Sequence, residues 1–467
     1  MNVMIRFLSM AGLLLALDAS IGMAGSNKDL VESRRPNFLF IIADDCTYRD
    51  IGCYGGQAHT PHIDGLAGQG MRFTQSYQAA PMCSPTRHCI YTGQYPVKTG
   101  AYPNHTFAKP GTKSIAHYLK PLGYRVALSG KKHVNPPEVF PFEYSAINNN
   151  PDYAAIDKLF AECSASGTPV CLFACSNEPH SPWDKGDASR YDPAKLTLPP
   201  HFVDTSETRT NLADYLAEIT FFDGQVGRCL DLLEKHDLSE NTLVIVTTEQ
   251  GSSLPFGKWT CYDTGLQNAL IARWPGNIES ATTSDALIEY VDIVPTFLEA
   301  AGGAAPAVLD GKSYLNVLRG KISEHKQYVF GLQTTRGIKN GSDYFGIRTV
   351  RSKRFKYIWN LTPEATFRNN MALSPIFDSW REKAKTDTDA ALKVHRYLHR
   401  PAEELYDLDD DPYEWHNLAG DEQHAQVKVE LKAELSKWMA AQGDEGQATE
   451  MKAFEHQRGR RRTKRRR

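Results

Sequence analysis

Residues Pro36–Asp45 read PNFLFIIADD. The run is apolar, of strand length, and ends in two acids. A strand buried on both faces has this pattern, and in open α/β sheets ligands bind beyond the carboxyl ends of such strands. Adjacent carboxylates at Asp44 and Asp45 suit a hard divalent cation, which takes oxygen ligands. A turn with a helix cap is the competing reading. Three further runs end in chemistry-bearing residues. Tyr124–Ser129 leads into Gly130-Lys131-Lys132-His133. Thr168–Ser176, TPVCLFACS, leads into Asn177-Glu178-Pro179-His180. Leu243–Thr248, LVIVTT, delivers Glu249-Gln250-Gly251. Helical spacing is found in Thr60–Gly70, Ser114–Leu122, Asp292–Ala301 and, as a long apolar stripe, Glu207–Lys235. This alternation predicts an α/β fold with a mainly parallel central sheet. The acids, His133, His180 and Glu249-Gln250 would then share one rim of it.

Between the first two runs lies Cys83–Gly93, CSPTRHCIYTG. Pro85 biases Ser84 towards an extended backbone. If a helix begins there, Arg87 sits one turn from Cys83 and brings a permanent positive charge beside the sulfur. A cysteine at a helix mouth is a candidate nucleophile, or the precursor of one. A buried or disulfide-bonded cysteine is the alternative.

The order C-x-P-x-R followed by Thr92-Gly93 resembles the signature of the type I sulfatases. The resemblance runs from about Pro36 to the C-terminal region. It takes in IGCYGG (Ile51–Gly56), TPHIDGLAGQGMRF (Thr60–Phe73) and GKWTCYDTG (Gly257–Gly265) in matching order. It implies an alkaline-phosphatase-like sandwich and conversion of Cys83 to formylglycine by a formylglycine-generating enzyme. It also implies Ca2+ held by Asp44, Asp45, Glu249, Gln250 and residue 83. By the same resemblance, one hydroxyl of the hydrated aldehyde attacks sulfur. Arg87, Lys131 and Lys258 hold the sulfate charge, and His180 with Lys258 protonates the departing alcohol. His133 takes a proton from the second hydroxyl, and sulfate is expelled.

One departure stands out. Sulfatases commonly have Asp followed by Asn or His before this glycine, whereas Glu249-Gln250 keeps the same polar groups one methylene longer. The run GKKHV (Gly130–Val134) with Pro136 and Pro141-Phe142 resembles the heparan N-sulfatase (sulfamidase) branch, but the Glu-Gln pair does not. The expected substrate is a sulfated carbohydrate, with O-sulfate favoured over N-sulfate. Sulfamidase activity is one alternative. Others are a phosphoesterase or phosphonate hydrolase of the same superfamily, and a catalytically silent glycan-binding protein.

The chain has 467 residues, 41% hydrophobic and 23% charged, as expected of a large soluble protein. Residues 1–24 read as a signal peptide. Arg6 precedes the apolar Phe7–Leu17, and Gly22-Met23-Ala24 offers a cleavage site. Export to a periplasm or the medium follows. Residues 35–322 read as the catalytic domain and 323–445 as a smaller α+β domain. The smaller one has antiparallel strands at Tyr328–Leu332, Tyr344–Val350, Phe355–Asn360 and Glu404–Tyr406, then a helix at Val427–Met439. Residues 446–467 read as a disordered basic tail ending in RGRRRTKRRR, either simply solvated or a grip on a polyanion. The net charge of −2 therefore hides an acidic remainder. No C-x-x-C pair suggests zinc, no nucleic-acid motif accompanies the tail, and no segment is long enough to span a membrane. Asp407–Asp411 lacks the EF-hand glycine and terminal glutamate, so a turn explains it. Nine cysteines, an odd count, would meet an oxidising compartment after export, and their pairing is not legible.

Overall fold

In a computed structural model that describes residues 35–457, strand β1, Asn37–Ala43, is buried along its whole length. Its side chains divide between two cores. Phe38, Phe40 and Ile42 join one, while Leu39, Ile41 and Ala43 join the other. Such burial is worth roughly 1.5–3 kcal/mol for each large apolar side chain. The same sheet contains β2 (Met71–Tyr77), β3 (Arg125–Gly130), β4 (Glu143–Tyr144), β5 (Val170–Cys175), β6 (Thr242–Thr248), β7 (Gln267–Arg273), β8 (Thr282–Ser284) and β9 (Ile288–Glu289). Its order is β4-β3-β5-β1-β6-β7-β2-β8, with β9 also on β2. Strands β4, β3, β5, β1 and β6 run parallel. Only β7 opposes its neighbours, between β6 and β2. The mainly parallel α/β architecture is the one that the sequence predicts.

Helices cover both faces. On the Leu39 side pack α1 (Pro61–Gly68) and, further along the chain, the helices Tyr153–Ser166 and Ser206–Lys235. On the Phe38 side pack α2 (Cys83–Thr92), α3 (Ile115–Leu119) and the helix Ile293–Ala300. We label those later helices α4, α5 and α6 in chain order. The apolar stripe of α5 is buried as its spacing predicts, from Leu212 to Leu233.

The strands β10 (Val329–Thr334), β11 (Gly346–Arg351), β12 (Phe355–Asn360) and β13 (Glu403–Asp407) form a second, antiparallel sheet in that order. Between β12 and β13 lie α7 (Pro375–Lys383) and α8 (Thr388–Leu398), which the sequence reading left without structure. Helix α9 (Ala425–Gln442) packs Leu431, Leu435, Trp438 and Met439 against Leu332, Val350, Tyr357 and Leu405 of the sheet. Residues 35–457 all belong to one compact unit.

The expectation of disorder from residue 446 needs correcting. Gln447–Lys452 is a helix, and Ala453–His456 continues it as a 3-10 turn. The reason is electrostatic. Arg348 on β11 is fully buried, and it pairs through Nη1 with Glu450 at 2.9 Å and through Nη2 with Asp444 at 3.1 Å. A buried guanidinium needs those anions, so the segment that carries them is held. The signal-peptide reading (1–24) and the run Arg458–Arg467 lie outside the described residues. All nine cysteines are unpaired, and eight of them are buried.

Replacing Arg348 with leucine should strand Glu450 and Asp444 as buried, unpaired carboxylates. The expected cost is on the order of 3–5 kcal/mol, read by chemical denaturation. An unchanged midpoint would show that the pairing does not hold the segment.

Candidate active site

The register of the parallel strands sets the site. Gly130 of β3 lies opposite Cys175 of β5, Cys175 opposite Ile42 of β1, and Ala43 opposite Thr248 of β6. The next residues of each strand therefore leave the sheet at one level. Backbone bonds tie this rim together, with Asp44 N donating to Glu178 O (3.0 Å) and Glu249 N to Ala43 O (2.9 Å). Gly130 has φ +94°, and a Cβ there would sit 2.0 Å from the Cys175 carbonyl oxygen. Only glycine permits this exit, which lets Lys131 N bond Cys175 O at 2.9 Å and aims the lysine at the rim. Asp45, His105, His133 and Trp259 have φ between +47° and +68°. Left-handed backbone at non-glycine residues gathers where function holds it.

Helix α2 opens at Cys83 and ends at Gly93 in the left-handed region, so Arg87 lies one turn from the sulfur. Every residue of α2 is buried. Cys83 Sγ lies 3.4 Å from Asp44 Oδ1 and 3.9 Å from Asp45 Oδ1, and Gln250 Nε2 approaches it to 3.1 Å. The Gln250 amide also bonds Asp44 and Asp45. One donor atom from each of Asp44, Cys83 and Glu249 falls within 4.8 Å of the others, a group able to hold a metal ion. Residues 44, 45, 83, 249 and 250, distant in sequence, thus share one buried pocket.

Three cations balance the three carboxylates. Lys131 pairs with Asp44. Lys258 Nζ contacts both oxygens of Asp45 at 2.7 and 2.8 Å. Arg87 Nε meets Glu249 Oε1 at 2.7 Å, and Arg87 Nη1 donates to the Lys131 carbonyl at 2.9 Å. Arg87 is wholly buried and does not line the cavity, so its charge is committed to Glu249. Burial opposes ionisation of Asp45, but Lys258 and His180 overcome it and hold the carboxyl below its ordinary range. Burial pushes the Cys83 thiol up to about 12, against the pull of Lys258. As a cysteine, residue 83 is therefore a neutral thiol and a poor nucleophile at neutral pH.

A cavity of about 650 Å³ opens above these groups, walled by Cys83, Lys131, His133, His180 and Lys258. His180 Nε2 lies 3.6 Å from Asp45 Oδ2, while Nδ1 donates to the Ser181 carbonyl at 2.7 Å. The Asp45 carboxylate raises the His180 pKa, but burial and the two lysines bring it below its ordinary value. His133 Nε2 is 2.9 Å from His105 Nδ1, and His133 Nδ1 is buried without a partner. Burial, then Lys131, keeps His133 neutral well below its ordinary pKa. The wall also includes Asn104, His105, Asn149, Trp259 and Lys339, which the sequence reading missed. Among the missed wall residues, Trp259 lies within GKWTCYDTG and Asn149 within the asparagine run Asn148–Asn150; the others come from loops without a motif.

Comparison with known proteins fits this geometry. The sulfatase family profile matches residues 36–304, and the C-terminal region of N-sulphoglucosamine sulphohydrolase matches residues 251–367. An ulvan-active sulfatase of Formosa agariphila is 36% identical over 421 residues, 88% of this chain and 81% of that protein. The chain belongs to the sulfatase family. It is a sulfuric ester hydrolase by that membership. Human N-sulphoglucosamine sulphohydrolase is 26% identical over 463 residues, 88% of this chain and 91% of that protein. A solved structure in complex with its substrate D-glucosamine-2-N,6-O-disulfate shares the fold. Its TM-score is 0.68 at 20% identity, over 89% of this chain and 99% of that one.

Calcium added to chelator-treated protein should raise the melting temperature, by an amount equivalent to about 2.7 kcal/mol at one hundred times Kd. Asp44→Asn should abolish that increment. An equal increment in the variant would locate the ion elsewhere.

Proposed function

We propose that this sulfatase hydrolyses sulfate esters on a carbohydrate, with residue 83 as formylglycine and calcium beside it. The observation that carries the reading is the contact of Cys83 Sγ with Asp44, Asp45 and Gln250 at the floor of a cavity walled by Lys131, Lys258 and His180. The donor set fits calcium, which accepts carboxylate and amide oxygens in variable geometry. Asp44, Asp45 and Glu249 would hold it. Gln250 Oε1, buried without a partner, would join them on a half-turn of its amide. Bound there, calcium would supply a positive charge to polarise a sulfate oxygen. The hydrated aldehyde supplies a hydroxyl for attack on sulfur and a second hydroxyl whose ionisation releases sulfate.

The remaining work falls to the chain's own side chains. Lys131 and Lys258 face the cavity and hold sulfate oxygens as charge shifts towards the leaving group. Arg87 lies behind the cavity wall and holds the Glu249 carboxylate in place. His180 is fixed with its proton on Nδ1 by Ser181, so Nε2 faces Asp45 and the cavity. Protonated there, it donates to the departing alcohol, assisted by Lys258. Neutral His133 accepts a proton through its unpartnered Nδ1.

A sugar substrate is supported by what the relatives are named for, ulvan and N-sulphoglucosamine. The asparagine side chains and Trp259 in the wall suit sugar hydroxyls and a ring face. The Glu-Gln pair, longer than the usual Asp-Asn, favours O-sulfate over N-sulfate. Export by residues 1–24 and maturation by a formylglycine-generating enzyme belong to the same proposal.

Protein from its native host should cleave p-nitrophenyl sulfate faster than p-nitrophenyl phosphate, and Cys83→Ala should lose at least a thousand-fold, roughly the share of a covalent nucleophile. Faster phosphate cleavage would reassign the chemistry. In mass spectra the tryptic peptide Phe73–Arg87 should carry an aldehyde; a full complement of thiol would remove the nucleophile from the proposal.

A further inference from the structure

His133 has two ring nitrogens, and only one of them is engaged. His133 Nε2 lies 2.9 Å from His105 Nδ1, with the ring centroids 4.8 Å apart. His133 Nδ1 is buried and has no partner. A neutral imidazole carries one proton, and the bond made at one nitrogen decides which nitrogen holds it. Beside the ring pair, the charges acting on His133 come from Lys131, Arg87 and Lys258, all positive. An N–H at Nδ1 would be buried among cations without an acceptor, whereas a lone pair suits them. The proton therefore belongs on Nε2, where His105 Nδ1 accepts it. Burial and then Lys258 hold His105 below its ordinary pKa, which keeps that Nδ1 lone pair available.

The loop that carries His105 is tied down on both sides of it. Gln457 Nε2 donates to the Asn104 carbonyl at 2.6 Å, and Gln457 forms an antiparallel bridge with Thr106. Phe107 N bonds the His456 carbonyl at 2.9 Å. His105 itself has φ +55°, a left-handed backbone that histidine and asparagine adopt more readily than most residues. His105 and His133 line the same cavity as Cys83.

We propose that His105 is a positioning residue for His133. It accepts the Nε2 proton, fixes the tautomer that leaves Nδ1 open, and shares the positive charge when His133 takes up a proton during sulfate release. In that step the O–H bond of the second hydroxyl breaks and its proton goes to His133 Nδ1. The oxygen's electron pair forms the carbonyl as sulfate leaves, and no proton passes to His105. The inference rests on the formylglycine reading and adds a residue to it.

The test compares the mature wild type with His105→Asn and His105→Gly on p-nitrophenyl sulfate. Both substitutions accept a left-handed backbone, but only asparagine offers an acceptor oxygen near the Nδ1 position. In His105→Gly, kcat should fall roughly ten-fold, the low end for partners that orient a functional histidine. The ratio kcat/KM, decided by nitrophenol release, should hold, and nitrophenol should appear as a burst. His105→Asn should recover most of the loss. Nitrogen NMR of histidine-labelled protein, assigned with His133→Gln, should place the His133 proton on Nε2 in the wild type. In His105→Gly the proton should divide between the two nitrogens. An unchanged kcat, or a kcat/KM that falls as far as kcat without a burst, would overturn the inference. So would His105→Asn turning over no faster than His105→Gly, or a wild-type His133 protonated on Nδ1. Each of those results leaves the formylglycine reading standing. A mature wild type that does not turn over the reporter overturns that reading, and this inference with it.

Discussion

Three carboxylates, Asp44, Asp45 and Glu249, are buried side by side, and their mutual repulsion has to be balanced on the spot. Each has its own cation, Lys131, Lys258 and Arg87 respectively. In a low-dielectric interior such charges are tolerable only when paired. The pairs therefore offset the cost of burying three carboxylates around a group able to hold a metal ion. Two of the cations, Lys131 and Lys258, also face the cavity. Arg87 does not line it and pairs with Glu249.

This balance depends on strand register more than on any local motif. Four parallel strands end level, and each contributes the residues just beyond its carboxyl end. Helix α2 enters the same rim with Cys83 in its first turn, where free N–H groups and the helix dipole favour negative charge. The second sheet brings a different part, the Ile338–Lys339 stretch that closes the cavity wall. Arg348 pairs with Glu450, and Gln457 bonds the Asn104 carbonyl beside the cavity wall. The cavity floor and part of its wall thus come from different parts of the chain.

Much of this was legible in the sequence because the informative residues stand next to strong local patterns. Asp44-Asp45, His133, His180 and Glu249-Gln250 each follow an apolar run, and parallel strands share a rim. Cys83 and Arg87 were marked by Pro85 and by helical spacing. Long-range partnership was not legible. The pairing of Arg87 with Glu249 joins residues far apart in sequence, so nothing near Arg87 announced its partner. The opposed direction of β7 is set by its connection, which no residue pattern encodes. Helices α7 and α8 were missed although Ser374, Pro375 and Asp387 stand at their starts as capping residues. Residues 447–457 read as part of a polar tail because their order comes from one buried arginine on another element.

The most direct measurement is a high-resolution crystal structure of protein matured in its native host, with anomalous scattering recorded for calcium. The expected result is one calcium ion bounded by oxygens of Asp44, Asp45, Glu249 and Gln250, with density for an aldehyde or its hydrate, and no sulfur, at residue 83. A sulfur atom at residue 83 with the ion bound outside that pocket would contradict it.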